Sequence, residues 1–118
     1  MLRKIFLVAL IICAINSVAF ANTTFKVVNE TGKTITQIYI SPIAENNWVM
    51  QTFGDLYDGE FTFIEFDPSP FLPRPMLRYF DIGVNYDDFS QETWFGLDLY
   101  NYEEIHLQHG NFSVTYKQ

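Results

Sequence analysis

The side chains with the most chemical potential are carboxylates in two segments. Asp55, Asp58 and Glu60 fall close together around Gly54 and Gly59, while Asp87 and Asp88 are adjacent and Asp98 follows. Calcium takes about six to eight oxygen ligands, mostly carboxylates and carbonyls from loops. A calcium site built from Asp55, Asp58, Asp87 and Asp88 therefore requires both segments to lie at one end of the fold. No EF-hand spacing supports it, and Asp is favoured in turns with or without a cation, so solvated turn residues are the plainer reading. His106 and His109 stand three apart. On a helix they would share a face as zinc ligands, but a strand running into a turn does not make two imidazoles converge. There is no G-x-S-x-G, and no nucleophile stands in a recognisable setting. With fourteen acids, a carboxylate pair flanking a sugar can always be named. The chain reads as a non-enzyme, with a carboxylate-based hydrolase as the weakest alternative.

Aromatic residues offer a second kind of chemistry. Tyr and Trp combine a large apolar face with a polar handle and are enriched at binding surfaces. Most of them are expected in the core, because a cysteine-free domain of this size needs large side chains there. Trp48, after the polar run Glu45-Asn46-Asn47, is expected to fold back over the core. Trp48 and Phe89 are the candidates for ligand contact. Phe71, in a proline-rich stretch, and Phe89, in an acidic turn, are the aromatics expected to be exposed.

The elements that must hold these groups read as strands. Phe80, Ile82, Val84 and Tyr86 alternate with Tyr79, Asp81, Gly83 and Asn85, the period of a strand with one apolar face. After Asp87-Asp88 the chain returns through Thr93, Trp94 and Phe95, and Gly96 permits a bulge. This predicts a β-hairpin with carboxylates at its tip. Asp81 is expected to make a structural hydrogen bond or an ion pair with Arg78. Upstream, Thr24–Asn29 and Thr34–Ser41 read as strands, and the short Asn29–Gly32 turn suggests that they pair as a hairpin. Residues 41–59 lose any period and read as a long loop with a short helical turn. Phe61–Phe66 is apolar on both faces, which predicts a central or covered strand. Asp67–Met76 holds four of the five prolines, which excludes a helix or central strand and predicts an extended crossing between sheets. Downstream, Ile105 and Leu107 alternate with Glu104 and His106, and Phe112 and Val114 with Ser113 and Thr115. Seven or eight short strands without a helical period indicate an all-β sandwich.

The N-terminus has the features of an export leader. Arg3 and Lys4 precede an apolar run from Ile5 to Ile15, and Ala19-Phe20-Ala21 fits small-x-small cleavage. The predicted division is a signal peptide, residues 1–21, and one domain, residues 22–118. The 118-residue chain less its first 21 leaves 97, enough for a single core. Cys13, the one cysteine, leaves with the leader. Removing Arg3 and Lys4 moves the formal charge from −7 to −9. That acidity excludes nucleic acid as a partner by simple electrostatics, and an anionic membrane unless calcium bridges the contact.

Residues Asn29-x-Thr31-Gly32-x-x-Ile35-x-x-Ile38-Tyr39-Ile40-Ser41-Pro42, then Trp48, are similar to the N-terminal signature of a family of small secreted bacterial proteins of uncharacterised function. Phe80-Asp81-Ile82-Gly83-Val84 and Trp94-Phe95-Gly96-Leu97-Asp98-Leu99 resemble two later segments of that family. Three departures stand out: Phe80 replaces the usual Trp, Tyr100 stands where a Cys is usual, and Asp87-Asp88-Phe89 replaces a D-G type turn. The disulfide the resemblance implies for some relatives cannot form here. The resemblance implies a compact β-sandwich, C2-like in general form, and supplies no catalytic residue.

Together these readings predict a single antiparallel β-sandwich of about seven or eight strands, C2-like or immunoglobulin-like, periplasmic or secreted. Its expected role is binding a protein or glycan, with no cofactor apart from the calcium considered above. The alternative is a structural or assembly protein that associates through a sheet edge.

Overall fold

The computed structural model describes residues 22–73 and 77–118, except for the side chain of Phe53. The expected leader, residues 1–21, and the 74–76 part of the proline-rich crossing lie outside the described residues.

Eight strands follow in order: β1 Thr23–Glu30, β2 Ile35–Pro42, β3 Val49–Leu56, β4 Phe61–Phe66, β5 Phe80–Tyr86, β6 Gln91–Leu97, β7 Tyr102–Gln108 and β8 Asn111–Tyr116. They form two four-stranded sheets, a first in the order β4-β1-β7-β8 and a second in the order β3-β2-β5-β6. All neighbours run antiparallel except β1 and β7, which are parallel. The fold is the expected all-β sandwich with that one parallel pairing.

Period-two patterning places the core. Phe25 and Val27 of β1, Ile64 and Phe66 of β4, and Ile105 and Leu107 of β7 face inward from the first sheet. Ile38 and Ile40 of β2, Phe80, Ile82 and Val84 of β5, and Trp94 and Leu97 of β6 meet them from the second. Each such side chain contributes about 1.5–3 kcal/mol through burial. At one end Phe66 packs edge-on against Phe80 at 4.8 Å, with Phe71 and Tyr100 each within 6.3 Å of both rings.

Four local expectations are corrected. First, β1 and β2 are not a hairpin, because they lie in different sheets. The buried Asn29 arches the chain between them: its Nδ2 donates to Lys33 O and Leu56 O, both at 2.8 Å, and its Oδ1 accepts from Thr31 N and Thr31 Oγ1. Second, residues 49–56 form an edge strand rather than loop. Register shifts against β2 and Gly54 at φ 113° break the alternation that would have revealed it. Third, β4 is an edge strand, neither central nor covered, with Phe63 65% exposed and Phe61 also exposed. Fourth, Phe71 is only 4% exposed. A 3-10 turn at Ser69–Phe71, with Asp67 Oδ1 accepting from Ser69 N at 2.9 Å, tucks its ring against Phe66.

The hairpin β5–β6 is present with its acidic tip, and Gly96 at φ 72° takes the bulge between Phe80 and Ile82. At the opposite side of β6 the two sheets are clasped. The Trp94 indole N–H donates to Gln108 O and Asn111 O in the β7–β8 hairpin. Glu92 accepts from Gly110 N at 2.6 Å and from the Tyr86 hydroxyl at 2.6 Å.

Candidate functional site

The outer face of the second sheet carries a built site. Cross-strand register aligns Tyr39 of β2, Gly83 of β5 and Thr93 of β6 in one row, and Gln37, Asn85 and Gln91 in the next. Gly83 has no side chain, and the Trp48 ring lies over it: a Cβ at Gly83 would stand 3.2 Å from Trp48 Cζ3. A glycine inside a strand often marks such a close approach. Trp48 does not close the core, as its position after a polar run suggested. It lies half-buried on the opposite face of β5.

The loop that delivers Trp48 is fixed by hydrogen bonds to its backbone. Ile43 N donates to Tyr79 O, Ala44 N to Asp81 Oδ2 at 2.9 Å, Glu45 N to Pro42 O, and Asn47 N to Ser41 Oγ at 2.9 Å. Ala44 and Asn46 are both left-handed, at φ 61° and 52°. Non-glycine residues hold that conformation where the surroundings over-determine it. Of the two expectations for Asp81, the structural hydrogen bond is present and the ion pair with Arg78 is not. Asp81 is buried mid-strand and accepts from Ala44 N and, through Oδ1, from Gly96 N at 3.0 Å. Arg78 pairs with Asp98 at 3.2 Å.

Beside Trp48 runs an open groove of about 340 Å³, bordered by Tyr39, Asn46, Asn85, Gln91 and Thr93. Its polar groups are mostly neutral. Gln37 Oε1 accepts from the Tyr39 hydroxyl at 3.1 Å and from Asn85 Nδ2 at 2.6 Å, so one oxygen orients two neighbouring side chains. Glu92 also borders the groove, and its burial works against ionisation. Hydrogen bonds from Tyr86, Gly110 N and His109 outweigh that and hold its carboxyl below the ordinary range. Burial, then the bond to Glu92, pushes the Tyr86 phenol up.

A second depression of about 540 Å³ adjoins the first through Asn85 and Gln91, which border both. Asp55, Asp87 and Phe89 border this one. Phe89 is 97% exposed, as expected for the hairpin tip. The candidate ligand residues Trp48 and Phe89 thus stand on two connected depressions.

The four candidate calcium aspartates do not make a cation cage. Among the described residues, no group of three or more His, Cys, Asp or Glu is placed to hold a metal ion. Asp58 Oδ1 accepts from Gly32 N, fixing one turn to another. Asp88 accepts from Ser90 Oγ and N, and these bonds, with the Lys33 ammonium at 3.0 Å, lower its pKa to about 2. Asp55 and Asp87 border one depression. The histidines diverge as well: His106 bridges Glu30 and Glu104, each at 2.8 Å, while His109 approaches Glu92.

Sequence reasoning missed Tyr39, Asn85 and Gln91 as groove residues, and Ser41, Asp81 and Gly83 as the loop's supports. The available signal was Gly83, a lone glycine in an otherwise regular strand pattern.

Fold and site together define a small all-β sandwich with an aromatic groove on one outer face. No protein-family model and no curated protein matches the chain. It is similar to a solved structure described as an NMR structure of the protein from Eubacterium rectale. The two share 12% identity over 82% of this chain and 89% of that chain, with a TM-score of 0.49.

Proposed function

We propose that the protein is an exported, non-catalytic binding module whose ligand face is the outer face of the second sheet, centred on Trp48. One observation carries this reading: a hydrogen-bonded loop with two left-handed residues lays a large aromatic ring on Gly83, yet leaves it only partly buried beside a groove. A ring needed only for the core would be buried, as Trp94 is. The downward pKa shifts of Glu30, Asp88 and Glu92 come from hydrogen-bond partners, and this supports structural rather than acid–base use of those carboxylates. The leader-like N-terminus supports export to the periplasm or beyond.

The test is binding of the full chain, expressed with its own N-terminal segment, to glycan and peptide arrays, with Trp48→Ala in parallel. We expect binders whose signal is lost in the variant. Binders indifferent to Trp48, or none on either array, would overturn the reading.

The exposed Phe61 and Phe63, stacked edge-to-face at 5.8 Å on edge strand β4, favour a second reading, self-association through that edge. It predicts a concentration-dependent dimer in light scattering that Phe63→Glu abolishes.

A further inference from the structure

We infer that the groove binds a linear, uncharged oligosaccharide lying from Trp48 towards Phe89; this rests on the proposed binding face and names its ligand class. Three features of the face converge on that chemistry.

The first is the pairing of flat aromatic faces with planar amides. Trp48 and Tyr39 both border the groove, and an aromatic ring makes favourable apolar contact with the side of a sugar where its C–H bonds gather. Asn46, Asn85 and Gln91 each carry a donor and an acceptor in one plane. Adjacent hydroxyls on a pyranose, each able to donate and accept, match that pattern. Gln37 already holds Tyr39 and Asn85 in place, so little side-chain freedom remains to be lost on binding.

The second is charge. Among the described residues, no Lys or Arg borders either depression. Glu92, Asp55 and Asp87 supply negative charge along the path, and the whole chain is acidic. Phosphates, sulfates and uronic acids would meet like charge without a compensating cation. To a neutral polyhydroxylated ligand the same carboxylates are hydrogen-bond acceptors.

The third is length. The two depressions, about 340 and 540 Å³, are joined at Asn85 and Gln91 and have an aromatic residue on each: Trp48 on one, Phe89 on the other. A single compact ligand would fill one and leave the other idle. A chain of sugar units uses both, with the amides between the aromatic ends.

The experiment is a titration of the full chain with cello-, xylo-, manno- and chito-oligosaccharides of two to six units. Trp48 emission serves as the optical signal and calorimetry gives the affinity. Because Trp94 is buried and hydrogen-bonded, a ligand-induced change in emission reports on Trp48. At least one neutral series should shift Trp48 emission saturably and bind more tightly as it lengthens. Trp48→Ala and Asn85→Ala should each weaken binding at least tenfold. Phe89→Ala should weaken only the longer members, and Phe63→Ala, on the other sheet, should change nothing. An oligogalacturonate of equal length should not bind. Failure of every neutral series, or binding insensitive to both Trp48 and Asn85, overturns the inference. If peptides then bind in a Trp48-dependent way, the glycan assignment falls while the binding face stands. If nothing depends on Trp48, both fall.

Discussion

Asp81 and Gly96 are joined across the β5–β6 bulge: Asp81 Oδ1 accepts from Gly96 N at 3.0 Å while Oδ2 accepts from Ala44 N at 2.9 Å. One buried carboxylate therefore fixes the hairpin bulge and the loop that carries Trp48. Asp81→Ala leaves two amides without an acceptor and should destabilise the fold by about 2–3 kcal/mol. Asp81→Asn should cost less, since its amide oxygen still accepts one of the two. Asp81→Ala also releases the loop at Ala44 N, so acrylamide should quench Trp48 more strongly than in wild type. Unchanged quenching would separate Asp81 from the placement of Trp48.

Phe66 shows where the stability of this domain resides. It is fully buried and meets Phe71, Phe80 and Tyr100. Phe66→Ala should cost about 3–5 kcal/mol in chemical denaturation, the range for a large aromatic removed from a core. That is a large share of the roughly 5–15 kcal/mol typical of a domain. Phe89→Ala should lie within about 0.5 kcal/mol of wild type, as for an exposed residue outside the core.

The sandwich and most strands were legible because alternation survives wherever a strand is regular and one face is covered. The period at 80–86 marks the inward set, Phe80, Ile82, Val84 and Tyr86, all buried. Where a strand is bulged, as β3 is, the period is lost and the residues read as loop. Hydrophobicity misled in β4, where apolar residues on both faces do not distinguish a covered strand from an edge with exposed rings. At the site, Trp48 and Phe89 were visible as aromatics in polar settings. Their surroundings were not, because Tyr39, Asn85 and Gln91 become neighbours only through pairing between distant strands. The N-x-T-G segment had a structural reason that residue type alone does not show: Asn29 arches the chain from one sheet to the other.

His106 should give stability a pH dependence of known sign. Its bond to Glu30, against the opposing effect of burial and aided by Glu104, raises its pKa above the ordinary 6.5. Hydrogen bonds from Gln108 and His106 lower Glu30 below the ordinary 4.5. The raised histidine contributes fully below its ordinary value and loses that contribution as pH rises through its folded pKa. The lowered carboxyl contributes above its ordinary value and loses that contribution as pH falls through its own. The pair therefore helps most between about pH 4.5 and 6.5. The Tm difference between wild type and His106→Gln should be larger at pH 5.5 than at pH 8.5, by a few degrees at most, because the pair is near the surface. A difference that grows with pH would contradict the assignment.

Gly83 and Trp48 allow the binding face to be separated from the fold. Gly83 has no positive φ, so its backbone admits a β-branched residue, and Val favours strand structure by up to about 1 kcal/mol. The obstacle is the indole, since even a bare Cβ would stand 3.2 Å from Trp48 Cζ3. Gly83→Ala requires the ring to give by a few tenths of an ångström. Gly83→Val must displace it. The valine variant should keep a Tm within a few degrees of wild type, because the core lies on the other face of β5 and is untouched. Its Trp48 emission should move to the red as the ring enters water, and oligosaccharide binding should fall at least tenfold. A large loss of Tm with unchanged emission would mean that the outer face supports the fold rather than a ligand. Unchanged Tm together with lost binding would place the function of this face in the ring that Gly83 seats.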